Sequence, residues 1–418
     1  MAEMEKNNND DDNSLETLNA TAFSENLIID LILPRLPVKT LVRFKSVSKF
    51  WYSAISSPQF AKFHLKFSIH KFIILADYPP IRLLLSYDEH NNLNDSEKLG
   101  FSLELCFTKQ IHQELHQILQ FQPEITPSGV VEFVGTCNGL VCLYFRYFDL
   151  VKDKTLASFA VCNPALHEHS EIPNPDGSRE ELVALAYWFG YVSSVDDYKI
   201  VAKFVLFNGD AERETFEFHV FSFKSWGWSR IYDLERVCTT FDRLTREVMV
   251  VNDVLYWTPL LTSTDRLRPK RKIVGLNLAY DQVKEFSWME WLFEYINVDF
   301  FVINECLTII CSTLNHYDIW SLKDPNNWGS WEKLFCTSSN QLGSMRIVNV
   351  TCTGKFLGRS YLPERFKIID LSKNINVEPQ REVYFPGNLV LLGTGDYVES
   401  LISPIGLGKS TKKEDHEV

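Results

Sequence analysis

Apolar positions from Asn26 to Leu65 recur at helical spacing, and beyond them the pattern changes to short alternating runs. Leu27, Ile28, Leu31 and Ile32 fall on one stripe and predict a first helix. Pro34 and Pro37 crowd its exit, because neither has a backbone N–H and Pro37 biases Leu36 toward an extended backbone. A second helix is predicted from Val38, with Val38, Leu41, Val42 and Phe44 on a wide apolar face and Lys39, Arg43 and Lys45 close by. Ser48 stands where a side-chain oxygen can cap a third helix carrying Phe50, Trp51, Tyr52 and Ile55, and Ser57-Pro58 reads as its stop. A block of about 40 residues buries too little apolar surface to be comfortably stable alone. Two readings of its surplus face therefore stand side by side: it docks a partner protein, or it caps the larger domain that follows.

From about residue 66 onward, β-branched and aromatic runs alternate with turns of Gly, Asn, Asp and Pro, the pattern of an antiparallel all-β domain. The clearest helical exception is Lys109 to Gln120, where Ile111, Leu115, Ile118 and Leu119 fit a 3.6-residue period. A strand–turn–strand phrase returns at Val161–Pro173, Val220–Ile231, Val274–Phe286, Ile319–Leu334 and Ile368–Val377. Hairpin-like runs such as Val251–Tyr256 and Val350–Leu357 lie between the repeats, whose spacing is about 45 to 60 residues. Four-stranded units at that period cannot bury both faces alone, and stacking them radially gives a β-propeller. With one unit around Phe72 to Leu93, the pattern predicts about six blades, five to seven being compatible with the insertions. A two-sheet sandwich accounts for the strands equally well but not for the returning phrase.

Two stretches carry family resemblance. The run Leu36, Pro37, Val38, Lys39, Thr40, Leu41, then Arg43, Phe44, Lys45, then Val47, Ser48, Lys49, Phe50 and Trp51 resembles the F-box of plant substrate adaptors. That resemblance implies a trihelical motif that binds the Skp-type adaptor of a cullin-RING ubiquitin ligase. It assigns adaptor contact to Leu36, Pro37, Val38, Leu41, Val42, Val47 and Trp51, with Lys49 at the rim. The chain departs from the family pattern at Phe23 and Ser24, where Leu-Pro is usual, and at Pro34 in the last turn of the first helix. Gly135 to Cys142, Cys162-Asn163-Pro164, Gly190-Tyr191, Asp196 to Val201, Asn252 to Trp257 and Trp320 to Leu334 are similar in type and order to the plant F-box-associated interaction domain. That resemblance implies a kelch-like domain that binds the target. Asn138-Gly139 itself reads as a tight hairpin turn tolerant of positive φ, and Asp196-Asp197-Tyr198 as a turn followed by a packed strand. Target choice is expected in loops on one propeller face.

Composition narrows the alternatives. With 418 residues, 45% hydrophobic and 23% charged, the chain is globular. Residues 1–22 are expected to be a disordered leader, and their six carboxylates against Lys6 supply −5 of the formal −12. Nucleic acid is disfavoured, since a phosphate binder needs clustered Lys and Arg. The basic stretch Arg266, Arg268, Lys270, Arg271 and Lys272 reads as a solvated loop, with a nuclear-import signal as the alternative. No apolar run approaches the ~18 residues of a membrane span, and no secretory signal stands at the N-terminus. The nine cysteines, an odd number lying mostly in strand-like runs, imply free thiols rather than disulfides and a cytoplasmic or nuclear location.

Catalytic constellations fail on spacing. His112, Glu114 and His116 stand in the wrong order for a zincin, which needs Glu directly after its first His. His167 and His169 alternate too closely to aim at one metal. Gly408, Lys409 and Ser410 mimic the end of a phosphate loop, but Ser403 occupies the first glycine position. No cofactor or metal is expected.

The reading is an α+β multidomain chain: a leader over 1–22, a small N-terminal F-box over 23–65, an all-β propeller over 66–405 and a disordered tail over 406–418. The function this implies is a non-catalytic adaptor that holds a target protein for ubiquitination, without nucleic-acid or membrane partners. The alternative is a propeller hydrolase or carbohydrate binder with a helical cap.

Overall fold

The structure, a computed structural model, describes residues 27–69, 71–78, 81–87, 130–149, 154–175, 182–206, 215–237, 249–258, 272–295, 297–338, 346–350, 355–361, 364–370, 381–384 and 390–407. The expected leader and the expected helix over Lys109 to Gln120, with its His112 and His116, lie outside them, as do Arg266 to Arg271 and Gly408 to Ser410. The chain divides into two compact units, residues 1–68 and 69–418.

The first unit is helical. A π turn over Ile28–Ile32 runs into a 3-10 turn over Leu33–Arg35. This replaces the regular first helix expected from the stripe, because Pro34 has no N–H to offer the Asp30 carbonyl and the α-type ladder cannot continue through it. Leu36 is extended (ψ 147°) ahead of Pro37, as the residue before a proline should be. Helix α1 spans Val38–Phe44 and α2 spans Lys49–Ile55, whose N-cap Ser48 Oγ accepts from Trp51 N at 3.1 Å. A further helix, α3 (Pro58–Leu65), stands where the sequence reading placed a stop, so the three α-helices are α1 to α3. Ser57-Pro58 starts a helix instead of stopping one: Ser57 Oγ accepts from Phe60 N at 3.2 Å, and Pro58 sits at the first turn, where its missing N–H costs nothing.

The second unit is built from antiparallel sheets. Among the described residues there are five four-stranded sheets and one three-stranded sheet. Sheet 1 holds β1 (Lys71–Tyr78), β2 (Ile81–Tyr87) and the late strand β23 (Val390–Tyr397). Sheet 2 holds β3 (Val130–Cys137), β4 (Leu140–Asp149), β5 (Lys154–Asn163) and β6 (Glu168–Pro173). Sheet 3 holds β7 (Leu182–Val192), β8 (Asp197–Leu206), β9 (Thr215–Ser222) and β10 (Gly227–Arg230), followed by the short helix α4 (Tyr232–Val237). Sheet 4 holds β11 (Met249–Val251), β12 (Val254–Trp257), β13 (Lys272–Asn277) and β14 (Gln282–Ser287). Sheet 5 holds β15 (Asn297–Ile303), β16 (Cys306–Ser312), β17 (His316–Leu322) and β18 (Trp331–Ser338). Sheet 6 holds β19 (Arg346–Val350), β20 (Lys355–Tyr361), β21 (Glu364–Asp370) and β22 (Arg381–Tyr384).

The sheets close a ring. First strands touch in the series β23–β3–β7 and again β11–β15–β19–β23. A buried cluster of Val201, Phe218 and Val220 with Leu255, Trp257, Val274 and Leu276 joins sheets 3 and 4. Tyr256, Ile273, Phe300, Ile309 and Trp331 fill the next boundary, and Phe301, Ile310, Ile347 and Phe356 the one after. No single sheet buries both faces, so each core cluster belongs to two sheets, as radial stacking requires. The ring is a β-propeller in which β1 pairs antiparallel with β23 and fastens an early strand to a late one.

The returning phrases mark the outer hairpins. Val161–Pro173, Val220–Ile231, Val274–Phe286 and Ile319–Leu334 span the third and fourth strands of sheets 2 to 5; Ile368–Val377 begins in β21 and passes outside the described residues. The first hairpins repeat too: Asn138-Gly139, Asn252-Asp253 and Asn304-Glu305 all have positive φ at both positions, the type I′ geometry that matches strand twist.

Candidate docking surfaces

Strand direction sorts the ring's turns onto two faces. First–second and third–fourth turns share one end of each sheet; second–third turns and the sheet-to-sheet connections share the other. The first face is laced across sheet boundaries. Asn138 Nδ2 donates to Tyr198 Oη at 3.0 Å, joining sheets 2 and 3. Asp253 accepts from the backbone N–H of Ser193 (2.7 Å) and Ser194 (3.0 Å), joining sheets 3 and 4. Burial opposes ionisation of Asp253, but the hydrogen bonds from Ser194 and Ser193 outweigh it and hold the carboxyl below its ordinary 3.8. Buried Asn163 donates to the carbonyls of Ser400 (3.0 Å) and Ile402 (2.7 Å), tying sheet 2 to the segment after β23. Gly139, at φ +80°, lies beneath that segment: a Cβ there would meet Ser400 Oγ at 2.4 Å and Val398 O at 2.6 Å. Tyr198 is buried against Phe189 and Phe223, so the Asp196-Asp197-Tyr198 run is a turn and a packed strand.

The helical unit has a core of its own. Leu33, Val38, Leu41, Ile55, Phe60 and Ala61 are buried in it. Buried His64 joins α3 to the turn before α1, with Nε2 2.9 Å from Leu36 O. Phe44 and Trp51 meet edge to face at 5.5 Å between α1 and α2. This accounts for the placement of the eight residues assigned to adaptor contact. Val38 and Leu41 are both 0% exposed and pack inward. Leu36 and Trp51 are half-buried, whereas Pro37, Val42, Val47 and Lys49 are exposed.

The surface left over is apolar. Of the seventeen exposed large hydrophobic side chains described in the whole chain, nine fall in this unit: Leu27, Leu31, Ile32, Val42, Val47, Phe50, Tyr52, Phe63 and Phe67. Exposed Lys39, Arg43 and Lys49 stand among them. The helical stripe implied Leu27, Leu31 and Ile32. It missed Phe50 and Tyr52 as surface groups, although the consecutive Phe50-Trp51-Tyr52 cannot all share one helix face, a signal that was available. A unit this small with this much exposed apolar area has the composition of half an interface.

Among the described residues, no three His, Cys, Asp or Glu side chains gather to hold a metal. No described helix is long and apolar enough to cross a membrane.

Helices over Leu27–Leu65 that expose an apolar face, joined to a β-propeller, define the class of F-box propeller proteins. Residues 26–63 match the F-box domain, and residues 98–360 match the F-box associated beta propeller domain. The second match covers more than half of the chain, which belongs to this family. Its relatives in Arabidopsis thaliana include F-box protein CPR1, 28% identical over 332 residues, covering 74% of this chain and 71% of that one. F-box protein At5g18160 is 27% identical, covering 85% of this chain and 80% of its own. F-box/kelch-repeat protein At3g23880 is 24% identical, covering 73% and 77%.

Proposed function

We propose that this chain is the substrate-recognition subunit of an SCF-type cullin-RING ubiquitin ligase. The observation that carries the reading is the pairing, in one chain, of an F-box whose Pro37, Val42 and Val47 are exposed with an F-box associated propeller. The F-box docks a Skp-type adaptor, and the propeller, counted as six blades with one to each sheet, holds a target protein. The chain makes no bond itself. It acts by proximity, raising the effective concentration of target lysines near the ubiquitin-charged enzyme. The reading puts the protein in the cytoplasm, the nucleus or both.

The test is co-purification of the full chain with a co-expressed Skp-type adaptor. Wild type is expected to carry the adaptor, and the double variant Val42→Asp/Val47→Asp to lose it while the propeller keeps its circular dichroism and melting transition. Equal adaptor recovery from both proteins refutes docking through this face.

A further inference from the structure

One cluster of charged and aromatic side chains in the propeller belongs to no boundary clamp on the laced face. It lies at the sheet 4–sheet 5 boundary, toward the end formed by second–third turns and connections. Asp318, on β17, is 1% exposed at its base. Its Oδ2 accepts from Lys333 Nζ at 2.7 Å and from Tyr295 Oη, and lies 3.5 Å from His316 Nε2. Burial opposes the anion, but the bonds from Lys333 and Tyr295 outweigh it and hold the carboxyl below its ordinary range. The carboxylate is hidden while its basic partners are not: the Lys333 and His316 side chains are 42% and 39% exposed, against 1% for Asp318. An approaching molecule therefore meets the Lys333 ammonium and the His316 ring before the carboxylate.

The lysine is already held. Its Nζ stands 5.0 Å from the Trp320 ring centroid, and Trp320 stacks on Trp291 at 4.0 Å. A long flexible side chain fixed by an ion pair and a cation–π contact loses less freedom on binding than a free surface lysine. Two exposed apolar side chains lie close to the cluster in sequence. Phe293 stands two residues before Tyr295 and Leu314 two residues before His316, exposed to 52% and 81%. Aromatic and apolar anchors beside an oriented cation are the composition of an interface hot spot, here in a chain of formal charge −12.

We infer that Lys333 and His316, with Leu314 and Phe293 beside them, form a target-recognition site for a peptide segment in which a carboxylate side chain neighbours an apolar one. The inference rests on the reading of the propeller as the target-binding part. The carboxylate pairs with Lys333, which it shares with Asp318, and the apolar neighbour covers Leu314 and Phe293. A basic segment would meet like charge.

The experiment presents the full chain, co-purified with its Skp-type adaptor, to immobilised random dodecapeptides that carry one fixed position. Peptides with fixed Asp or Glu are expected to be retained about tenfold over those with fixed Lys or Arg, a margin worth about 1.4 kcal/mol, and to lose that margin in high salt. Lys333→Arg keeps the preference and Lys333→Glu reverses it. Leu314→Glu, a change at an 81% exposed position that the fold does not depend on, removes it. Equal retention of acidic and basic peptides by wild type overturns the inference, as does a preference that survives both Lys333→Glu and Leu314→Glu. Adaptor recovery in the same preparations is a separate readout: its loss in the wild-type chain sinks the ligase reading, whereas adaptor retained without acidic preference sinks only this site.

Discussion

Leu41→Ala separates the F-box core from its docking face. Leu41 is 0% exposed on α1, in the core that also holds Leu33, Val38 and Ile55. The change removes three buried carbons, about 2.4 kcal/mol at about 0.8 kcal/mol each, and the residual cavity brings the expected loss to about 3–5 kcal/mol. A core in a unit of fewer than about 70 residues seldom supplies more than that, so the variant should leave the helices largely unfolded. Hydrogen exchange read by mass spectrometry checks this peptide by peptide: protection over residues 27–68 should collapse toward the unprotected rate while that of the sheets stays at wild-type level. Adaptor recovery falls in parallel, as a consequence of unfolding. Val47→Asp is the counterpart. Val47 is 59% exposed, so exchange protection should be unchanged within about 0.5 kcal/mol, yet adaptor recovery should drop because a charge would be buried against an apolar partner. The reasoning is refuted if Leu41→Ala keeps full protection over 27–68 and still loses the adaptor, since Leu41 would then be a contact rather than a core residue.

Three further outcomes follow from the propeller. Gly139→Ala forces a side chain into positive φ under Ser400 and Val398, and should lower stability by at least about 2 kcal/mol; an unmoved denaturant midpoint would contradict the placement of the segment after β23. Asp253, with its folded pKa below the ordinary 3.8, contributes stability that is present above 3.8 and is lost as pH falls through the folded value. The melting-temperature gap between wild type and Asp253→Asn should therefore be widest near neutral pH and close below 3.8; a gap independent of pH would show that the Ser193 and Ser194 bonds do not depend on the charge. Burial pushes the Cys137 thiol up to about 12 and the Cys142 thiol well above its ordinary range. Site-resolved alkylation of the native chain near pH 7 should leave Cys142 unmodified, and its rapid labelling would contradict its burial.

Local signals in the sequence reached far into the fold. Ser48 announced the cap of α2, and Asn138-Gly139 announced a tight hairpin turn, because caps and tight turns depend on a few adjacent residues. The phrases from Val161 and Val220 located outer hairpins for the same reason. Ser57-Pro58 misled because Pro after Ser is equally at home ending one helix and opening the next. Within the F-box, an apolar pattern could name Val38, Leu41 and Val42 together, but it could not say which would be buried by α2 and α3 and which would face outward.

The sequence by itself determined the two-part organisation and the presence of a surplus apolar face, which rest on composition and on residues within a turn or two of each other, and the family, which rests on the resemblance of ordered motifs. Only the tertiary structure decided that β1 pairs with β23 and that Val38 and Leu41 point inward. It alone brought Tyr295, His316 and Lys333 around one buried carboxylate. Those depend on contacts between distant segments, where ring closure and desolvation, rather than any local period, choose the partners.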